Sequence, residues 1–273
     1  TRQLQLTANN ISGAQQDGYT LKRATVSSVS LGGDAGGATI TGFTRASDDT
    51  LTKAYNAATS QAAFLGTQNS YLQQVQNILG SNSGNPALSN DIAQFQSAWT
   101  QFSASPESSA QKQAVILAGT NLAADVRSIT SSVSGLKRQI ISDVGDSVQT
   151  LNTALSNIAL LNQQISTATT SGQPAGDLQD ARDQAINAIS KIVAVNVVPR
   201  ESGQIALYTP NGVLLADKQI AQSFAWDGTN ITSGTGLTVT TALRGGSIEA
   251  SIQFIANNSP TAVSSSPGTE VIR

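Results

Sequence analysis

The feature that most constrains the fold is a long stretch without proline, from Glu107 to Ser171. Within it, apolar residues recur at near-heptad intervals, which places them on one face of an α-helix. At 1.5 Å per residue the stretch can form a rod of roughly 90 Å, as one helix or as two in tandem. Such a rod cannot close around a compact globule. The seam consists of Ile129, Val133, Leu136, Ile140, Val144, Leu151, Leu155, Ile158, Leu161 and Ile165.

Two further helices are predicted before the rod. The first begins near Asp48 or Asp49, either of which can be its N-cap, and ends before Gly80 and Pro86. The second carries Trp99 and Phe102, which we expect to anchor the core. We expect most seam positions of these helices to lie in an intrachain core. Their seams are Leu51, Tyr55, Ala58, Ala62, Leu65, Leu72 and Leu79, and Leu88, Ile92, Phe95, Trp99 and Phe102.

The pattern changes from helix to strand near Val193. A turn at Gly172–Gly176 precedes a helix that Asp177 is expected to cap and that should return antiparallel to the rod. Short apolar runs follow, and Pro210-Asn211-Gly212 between two of them is a hairpin signal. Further short strands are predicted to about Thr241. They amount to a small all-β domain of roughly 50 residues, near the minimum for independent folding.

These elements predict an α+β fold, an elongated bundle of long α-helices with a small all-β domain. Residues 1–45 read as an N-terminal arm with a short helix and extended loops. Residues 46–194 form the long-helix bundle domain and residues 195–246 the small β domain. Residues 247–273 begin a segment that returns to the helical domain. Since the chain contains no methionine, we expect a fragment or a processed product that lacks both terminal regions.

The composition excludes several classes of function. The chain has neither cysteine nor histidine, so thiolate and imidazole catalysis, disulfides and the usual zinc ligand sets are impossible. Only 12% of residues are charged and the net charge is -2, which argues against nucleic acid and against a membrane surface as partners. No apolar run approaches a membrane span. We predict no enzyme activity, no cofactor, no metal and no catalytic residue.

Two motifs invite chemical interpretations that we do not favour. The glycine-rich run Gly32–Gly37 lacks the Gly-Lys-Ser/Thr ending of a phosphate-binding loop and is read as a loop or hairpin turn. A metal or acid–base site can be drawn from Asp177, Asp180 and Asp183. An acidic helix start that complements the helix dipole explains them more simply. The scattered acids Glu201, Asp217 and Asp227 form no recognisable catalytic pair.

The N-terminal segment carries a motif that resembles flagellar proteins. Ala8-Asn9-Asn10-Ile11, followed by Gly18-Tyr19-Thr20, is similar to the signature near the N-terminus of flagellar rod, hook and hook-associated proteins. The similarity departs at Leu21. The family often has a basic residue immediately after the Gly-Tyr-Thr unit, whereas here Leu21 lies between Thr20 and Lys22.

Two longer stretches resemble the hook-associated protein 1 family in particular. They are Pro106 to Val126 and Asp177 to Val195, the second departing at Gln179 and Ala181 where the family more often has Leu and Gln. Gly245-Gly246-Ser247-Ile248 is similar to the point where the family's chain returns into its C-terminal helices.

The resemblance implies a structural axial component of the bacterial flagellum that joins hook to filament as a mechanical adaptor. It implies export through the flagellar type III apparatus without a cleaved signal peptide, and an extracellular location. The implied partners are the hook protein and hook-associated protein 3, with self-association into a ring in the full-length form. An export chaperone would bind the absent C-terminus, and the fragment alone should be monomeric.

Other interpretations remain open from the sequence. A neighbouring axial protein, such as hook-associated protein 3 or a flagellin-like protein, would share the long helices. A secreted adhesin or glycan-binding module would use the β domain, where Tyr208, Phe224 and Trp226 offer a weak sugar platform. An enzyme ranks third.

Overall fold

The computed structural model describes residues 2–31, 34–80 and 88–257. Long helices and small antiparallel sheets make up these residues, which confirms the α+β prediction. The arm predicted before residue 46 contains a helix and a two-stranded hairpin. The helices are α1 (Arg2–Gly13), α2 (Asp49–Leu79), α3 (Leu88–Ala104), α4 (Ser109–Thr170), α5 (Gly176–Ser190) and α6 (Gly246–Asn257).

The proline-free stretch is one helix, α4, of 62 residues. Gly119, Gly135 and Gly145 are included in it without a break. From Leu136 onward α4 buries the predicted seam, because the steps of three and four residues keep these side chains on one face. Val133, in the first half, is 45% exposed. The buried seam residues are Leu136, Ile140, Val144, Leu151, Leu155, Ile158, Leu161 and Ile165.

The strands form three separate antiparallel sheets. The first is the hairpin β1–β2, the second is a four-stranded sheet in the order β3-β4-β5-β6, and the third is the pair β7–β8. The strands are β1 (Lys22–Leu31), β2 (Asp34–Arg45), β3 (Asn196–Pro199), β4 (Ile205–Tyr208), β5 (Leu214–Asp217), β6 (Ile220–Ala221), β7 (Phe224–Trp226) and β8 (Ile231–Ser233).

The hairpin predicted at Asn211-Gly212 is confirmed. Strands β4 and β5 are antiparallel, and the turn between them closes with Gly212 donating its amide to the Thr209 carbonyl at 2.9 Å. Gly212 has φ +83°, a conformation that favours glycine. The strand predicted from Leu237 to Thr241 is wrong. Only an isolated bridge joins Thr238 to Thr232 there, before the chain turns toward α6.

The described chain divides into two compact units. The first comprises residues 1–65 and 144–252, and one apolar core runs through it. Val148, Leu151 and Leu155 of α4 contribute to this core together with Ile189 of α5 and Leu207 of β4. The strands after residue 194 thus share their apolar core with two helices. The domain boundaries at residues 45, 194 and 246 stay a prediction.

The second unit comprises residues 66–143 and 253–273, of which 81–87 and 258–273 lie outside the described residues. Its small core contains Tyr71, Leu136 and Ile140. The centroids of the Tyr71 and Phe254 rings lie 5.2 Å apart. The expectation that Trp99 anchors the core is wrong, because its side chain is 55% exposed and contacts the rings of its own helix.

The seam of α2 faces outward, which contradicts the expected intrachain core. Leu51, Tyr55 and Leu65 are 68%, 62% and 54% exposed, and Leu72 and Leu79 are about half exposed. In the first half of α2 the opposite face is polar and faces α5, whereas in the second half the buried face carries Tyr71 of the small core. On the polar face Asn56 and Ser60 are buried, and the Asn187 amide of α5 donates to Asn56 at 3.3 Å and to Thr59 at 3.2 Å.

Several local predictions concern the ends of elements. Asp48 caps α2, since its carboxylate accepts the Thr50 and Leu51 amides at 2.8 and 3.1 Å. Of the run Gly32–Gly37, predicted to be a loop or hairpin turn, Gly32 and Gly33 lie outside the described residues. The strands on either side of them pair as a hairpin, with Leu31 opposite Asp34, and the remainder of the run belongs to β2. Pro86, which was expected to follow the end of α2, and residues 258–273 of the predicted return segment also lie outside the described residues.

Candidate functional site

Asn10 joins α1 to the first strand of the hairpin. Its side-chain amide donates to the Lys22 carbonyl at 2.8 Å, and its oxygen accepts the Lys22 amide at 3.1 Å. The same oxygen accepts a hydrogen bond from the Tyr19 hydroxyl at 2.9 Å. A planar amide can satisfy one backbone N–H and one C=O together, so Asn10 extends the hairpin's hydrogen bonding to the helix.

Glycine is required where the N-terminal turn approaches its neighbours. A Cβ on Gly13 would lie 2.6 Å from the Tyr19 ring, so a larger residue would displace the tyrosine. Gly18 has φ +78° and lies against Gln184 of α5, whose amide donates to the Asp17 carbonyl at 2.8 Å. The Gly-Tyr part of the signature is therefore a turn shaped to contact α5.

Thr20 completes the signature with a direct bond to α5. Its amide and hydroxyl donate to the two carboxylate oxygens of Asp180 at 3.1 and 2.5 Å. The partners are 160 residues apart in the sequence. The signature thus serves as the point at which the N-terminal segment attaches to α5.

The two ends of the hairpin carry cations that meet the acidic first turns of α5. Lys22 Nζ lies 2.6 Å from Asp177 and 2.7 Å from Asp180. Arg45 lies 3.1 Å from Asp180 and 2.5 Å from Asp183. Register pairs Lys22 with Arg45 across the hairpin, which places both cations over the same helix. We name this set the arm clamp; it consists of Asn10, Tyr19, Thr20, Lys22, Arg45, Asp177, Asp180 and Asp183.

Lys22 and Asp180, at the centre of the arm clamp, are buried, so their charged forms depend on the partners that surround them. Burial alone would lower the pKa of the Lys22 ammonium, but hydrogen bonds and charges from Asp177 and Asp180 outweigh it and raise that pKa. Burial would likewise raise the pKa of Asp180, but Lys22, Thr20 and Arg45 lower it. Lys22 also lies 3.6 Å above the Tyr19 ring centroid, which adds a cation–π contact.

The structure corrects the sequence interpretation of the three aspartates. The N-cap residue of α5 is Ala175, which provides no side-chain cap, and Asp177 lies inside the first turn. Asp177, Asp180 and Asp183 bind the two hairpin cations. Only Asp177 lies in the first turn, where a carboxylate complements the helix dipole. Within the described ranges no group of three or more acidic side chains could hold a metal ion.

Part of the signature lies outside the arm clamp. Ala8, Asn9 and Ile11 are exposed on α1, and Ile11 is 72% exposed. The scattered acids are also separate, because Asp217 pairs with Arg200 at 3.0 Å and Asp227 accepts amides of its own turn. Glu201 is exposed in a short 3-10 turn.

Sequence reasoning missed Arg45, Gln184 and a second polar centre. Arg45 carries no local signal, since only the strand register brings it opposite Lys22. In the second centre Arg182 is buried, which lowers its pKa to about 10, and it donates to Asn162 at 2.9 Å and to the Gly203 carbonyl at 2.8 Å. The arm clamp pairs opposite charges, and the two hydrogen bonds of Arg182 connect α5 to α4 and to the turn at Gly203, so both sets of contacts hold elements together.

Replacing Asp180 by alanine is expected to release the N-terminal segment from α5, at about 2 kcal/mol of local opening free energy. The substitution removes charge-assisted hydrogen bonds to a buried carboxylate, which accounts for a loss of this size. Asp177→Ala is the matched control, because Asp177 binds the same Lys22 at a similar distance but is 75% exposed. Exposed pairs contribute about 0–1 kcal/mol. Hydrogen exchange at residues 19–24 measures the local opening free energy of both variants. Equal effects of the two substitutions would contradict the claim that burial makes Asp180 the stronger attachment.

No helix in the described part of the chain combines the length and the apolar character needed to cross a bilayer.

Comparison with known proteins identifies the family. The family model described as "Flagellar hook-associated protein FlgK helical domain" matches residues 72–265. The flagellar hook-associated protein 1 of Salmonella typhimurium is 28% identical over 81% of this chain and 41% of its own length. The Bacillus subtilis protein of that name is 24% identical over 77% of this chain and 44% of its own length.

A solved structure has the same fold. The flagellar hook junction protein FlgK from Burkholderia pseudomallei superposes with a TM-score of 0.65 at 23% identity, covering 74% of this chain and 38% of that one. The chain spans 41% and 44% of the length of the two curated relatives cited above. Because the family model covers most of the residues, including the end of α2 and all of α3, α4 and α5, this chain belongs to the flagellar hook-associated protein FlgK family.

Proposed function

We propose that this chain is a structural segment of an axial flagellar protein that joins hook to filament as a mechanical adaptor. The match to the FlgK helical domain over residues 72–265 carries the proposal. Membership in this family confirms the sequence prediction of a flagellar hook-associated protein, and it supports a structural role instead of an enzymatic one. The arm clamp supports the proposal, because it is built of paired charges that hold backbone elements in place.

The proposal extends to location and partners. The full-length protein would be part of the extracellular flagellum and would be exported without a cleaved signal peptide. It would contact the hook protein and hook-associated protein 3, form a ring, and bind an export chaperone through its C-terminus. These assignments rest on the family alone.

The exposed seam of α2 supports assembly with another helix. Its apolar residues follow the alternating steps of three and four that a coiled-coil partner fills. The buried face of the same helix is already occupied, by polar contacts at Asn56 and Ser60 and by the small core at Tyr71. Apolar residues that repeat on an exposed face mark an interaction surface. We infer that a helix covers this seam in the assembled protein.

Deletion of the full-length gene tests the function. Electron microscopy of the deletion strain should show bare hooks, with flagellin shed into the medium. Complementation with the full-length gene should restore filaments. Normal filaments on the deletion strain would contradict the proposal and would instead favour an adhesin or another accessory role.

The double variant Leu51→Gln, Leu65→Gln in the full-length gene is expected to abolish filament retention in the complementation assay. The physical reason is that both side chains are exposed here and would lose only contacts made on assembly. The melting temperature of the 273-residue chain should change little, since surface substitutions usually alter stability by about 0.5 kcal/mol or less. Lys53→Gln, on the same helix, is the control that leaves the seam intact. Full filaments with the double variant would show that the seam needs no partner.

A further inference from the structure

The turn between β4 and β5 presents the single Asn-Gly pair of the sequence to solvent. Pro210, Asn211 and Gly212 are all exposed. Gly212 has φ +83°, and no described atom lies within 4 Å of a Cβ built on it. Because glycine carries no side chain and rotates freely, nothing hinders the approach of the Gly212 nitrogen to the side-chain amide of Asn211.

The other described asparagines lack this combination. Most of them lie in helices, where the backbone is fixed by the helix hydrogen bonds. Asn230 is the informative comparison, because it also lies in a connection between two strands, β7 and β8. Its successor Ile231 is buried and β-branched, and the Ile231 amide donates to the Thr240 hydroxyl at 2.8 Å. The nitrogen that follows Asn230 is therefore both hindered and bonded.

We propose that Asn211 is a site of spontaneous deamidation in the folded chain. The Gly212 nitrogen loses its proton to hydroxide and attacks Asn211 Cγ, which forms an N–Cγ bond and closes a five-membered succinimide ring. The Cγ–Nδ2 bond breaks, and the leaving group takes a proton from water and departs as ammonia. Water then opens the ring at either carbonyl and leaves aspartate or isoaspartate.

The hydrogen bonds of the turn let this reaction proceed without unfolding. Gly212 donates its amide to the Thr209 carbonyl at 2.9 Å, and this bond must open before the nitrogen can react. Two further bonds close the base of the turn: Thr209 donates its amide to the Val213 carbonyl at 2.9 Å, and Val213 to the Thr209 hydroxyl at 3.1 Å. Hydrogen bonds in exposed loops open at low free energy, so the opening stays within the turn.

The first test follows the unmodified 273-residue chain in ¹⁸O-labelled water at mildly alkaline pH. Trypsin releases residues 201–218, which contain Asn211 and no other asparagine. Fragment masses should show ¹⁸O entering at Asn211 several-fold faster than at Asn230. The rate should fall several-fold in mildly acidic buffer, since less of the Gly212 amide is deprotonated. An unconverted Asn211, or one no faster than Asn230, would overturn the proposal.

The second test separates local opening from global unfolding. Urea below the unfolding transition raises the unfolded population steeply, whereas opening of one turn exposes little new surface. The rate at Asn211 should therefore stay constant over this range. A rate that rises in step with the unfolded population would place the reaction in the unfolded chain and overturn the proposal.

The matched control is Asn211→Gln, which keeps an exposed amide in the turn but requires a larger ring to form. Residues 201–218 of this variant should remain unconverted. Conversion there would assign the signal to Gln204 or to the new glutamine and would contradict the ring closure at Asn211. The measurements on the unmodified chain stand by themselves if the variant fails to fold.

Discussion

Replacing Gly246 by valine is expected to lower the free energy of unfolding by about 4 kcal/mol or more, which is exceptional for one substitution. Gly246 begins α6 with φ +64°, and a Cβ there would overlap the carbonyl group of Ile192 and lie 2.7 Å from the Val193 nitrogen. Backbone atoms cannot move aside as a flexible side chain can. The substitution therefore combines a disfavoured conformation with a clash at the junction of α5 and α6.

The backbone around Gly246 shows why the junction cannot relax. Ser247 donates its amide to the Lys191 carbonyl at 2.9 Å, Ile248 to Ile192 at 3.2 Å, and Ala194 to Arg244 at 2.7 Å. Any shift that relieves the clash breaks hydrogen bonds of this junction.

Gly236→Val separates the effect of the disfavoured backbone conformation from the effect of the steric clash. Gly236 has φ +83°, but nothing lies within 4 Å of a Cβ built there. We expect a loss of about 1–3 kcal/mol from the backbone conformation alone. Chemical denaturation of both variants measures the difference. Equal losses would show that the junction tolerates the extra side chain.

Replacing Asn162 by alanine is expected to lower the free energy of unfolding by about 3–4 kcal/mol. Asn162 is fully buried on α4 and its amide donates to the carbonyls of Ile205 and Lys218 at 3.0 and 2.8 Å. Its oxygen accepts from the Ile205 amide and from Arg182. Alanine would leave these buried groups unsatisfied, each at about 1–3 kcal/mol before relaxation and water entry. The unfolding midpoint of the purified chain measures the loss.

Asn152 provides a matched comparison two to three turns earlier on the same helix. It holds Phe224 of β7 by the same two-bond pattern, donating to its carbonyl at 2.8 Å and accepting its amide at 2.9 Å. It is only half-buried, so water can replace the lost contacts. Asn152→Ala should cost about 1 kcal/mol. A loss as large as that of Asn162→Ala would contradict the importance of the buried arginine contact.

The helices were predictable because their signals are local. The spacing from Leu136 to Ile165 identified the buried face of α4, Asp48 identified the start of α2, and Asn211-Gly212 identified a hairpin. Each rests on side chains within a few residues of one another. The flagellar resemblance was confirmed at the level of family.

The errors arose where distant residues decide the outcome. Spacing shows that Leu51 and Leu65 share a face, but it cannot show whether α5 packs on that face or on the polar face of Asn56. Asp177 looked like a cap because caps are recognised locally, whereas its partner Lys22 is far away in sequence. The arm clamp could not be predicted for the same reason, since Arg45 enters it only through the register of β1 and β2.

The arm clamp also imposes an order of events on folding. Lys22 and Thr20 must find Asp180, and these contacts span 158 and 160 residues. Closing so long a loop has a large entropic cost, so the contacts form late unless other elements first bring the ends together. During synthesis from the N-terminal side, Thr20 and Lys22 are therefore made long before Asp180 and stay unpaired until α5 has been made and packed.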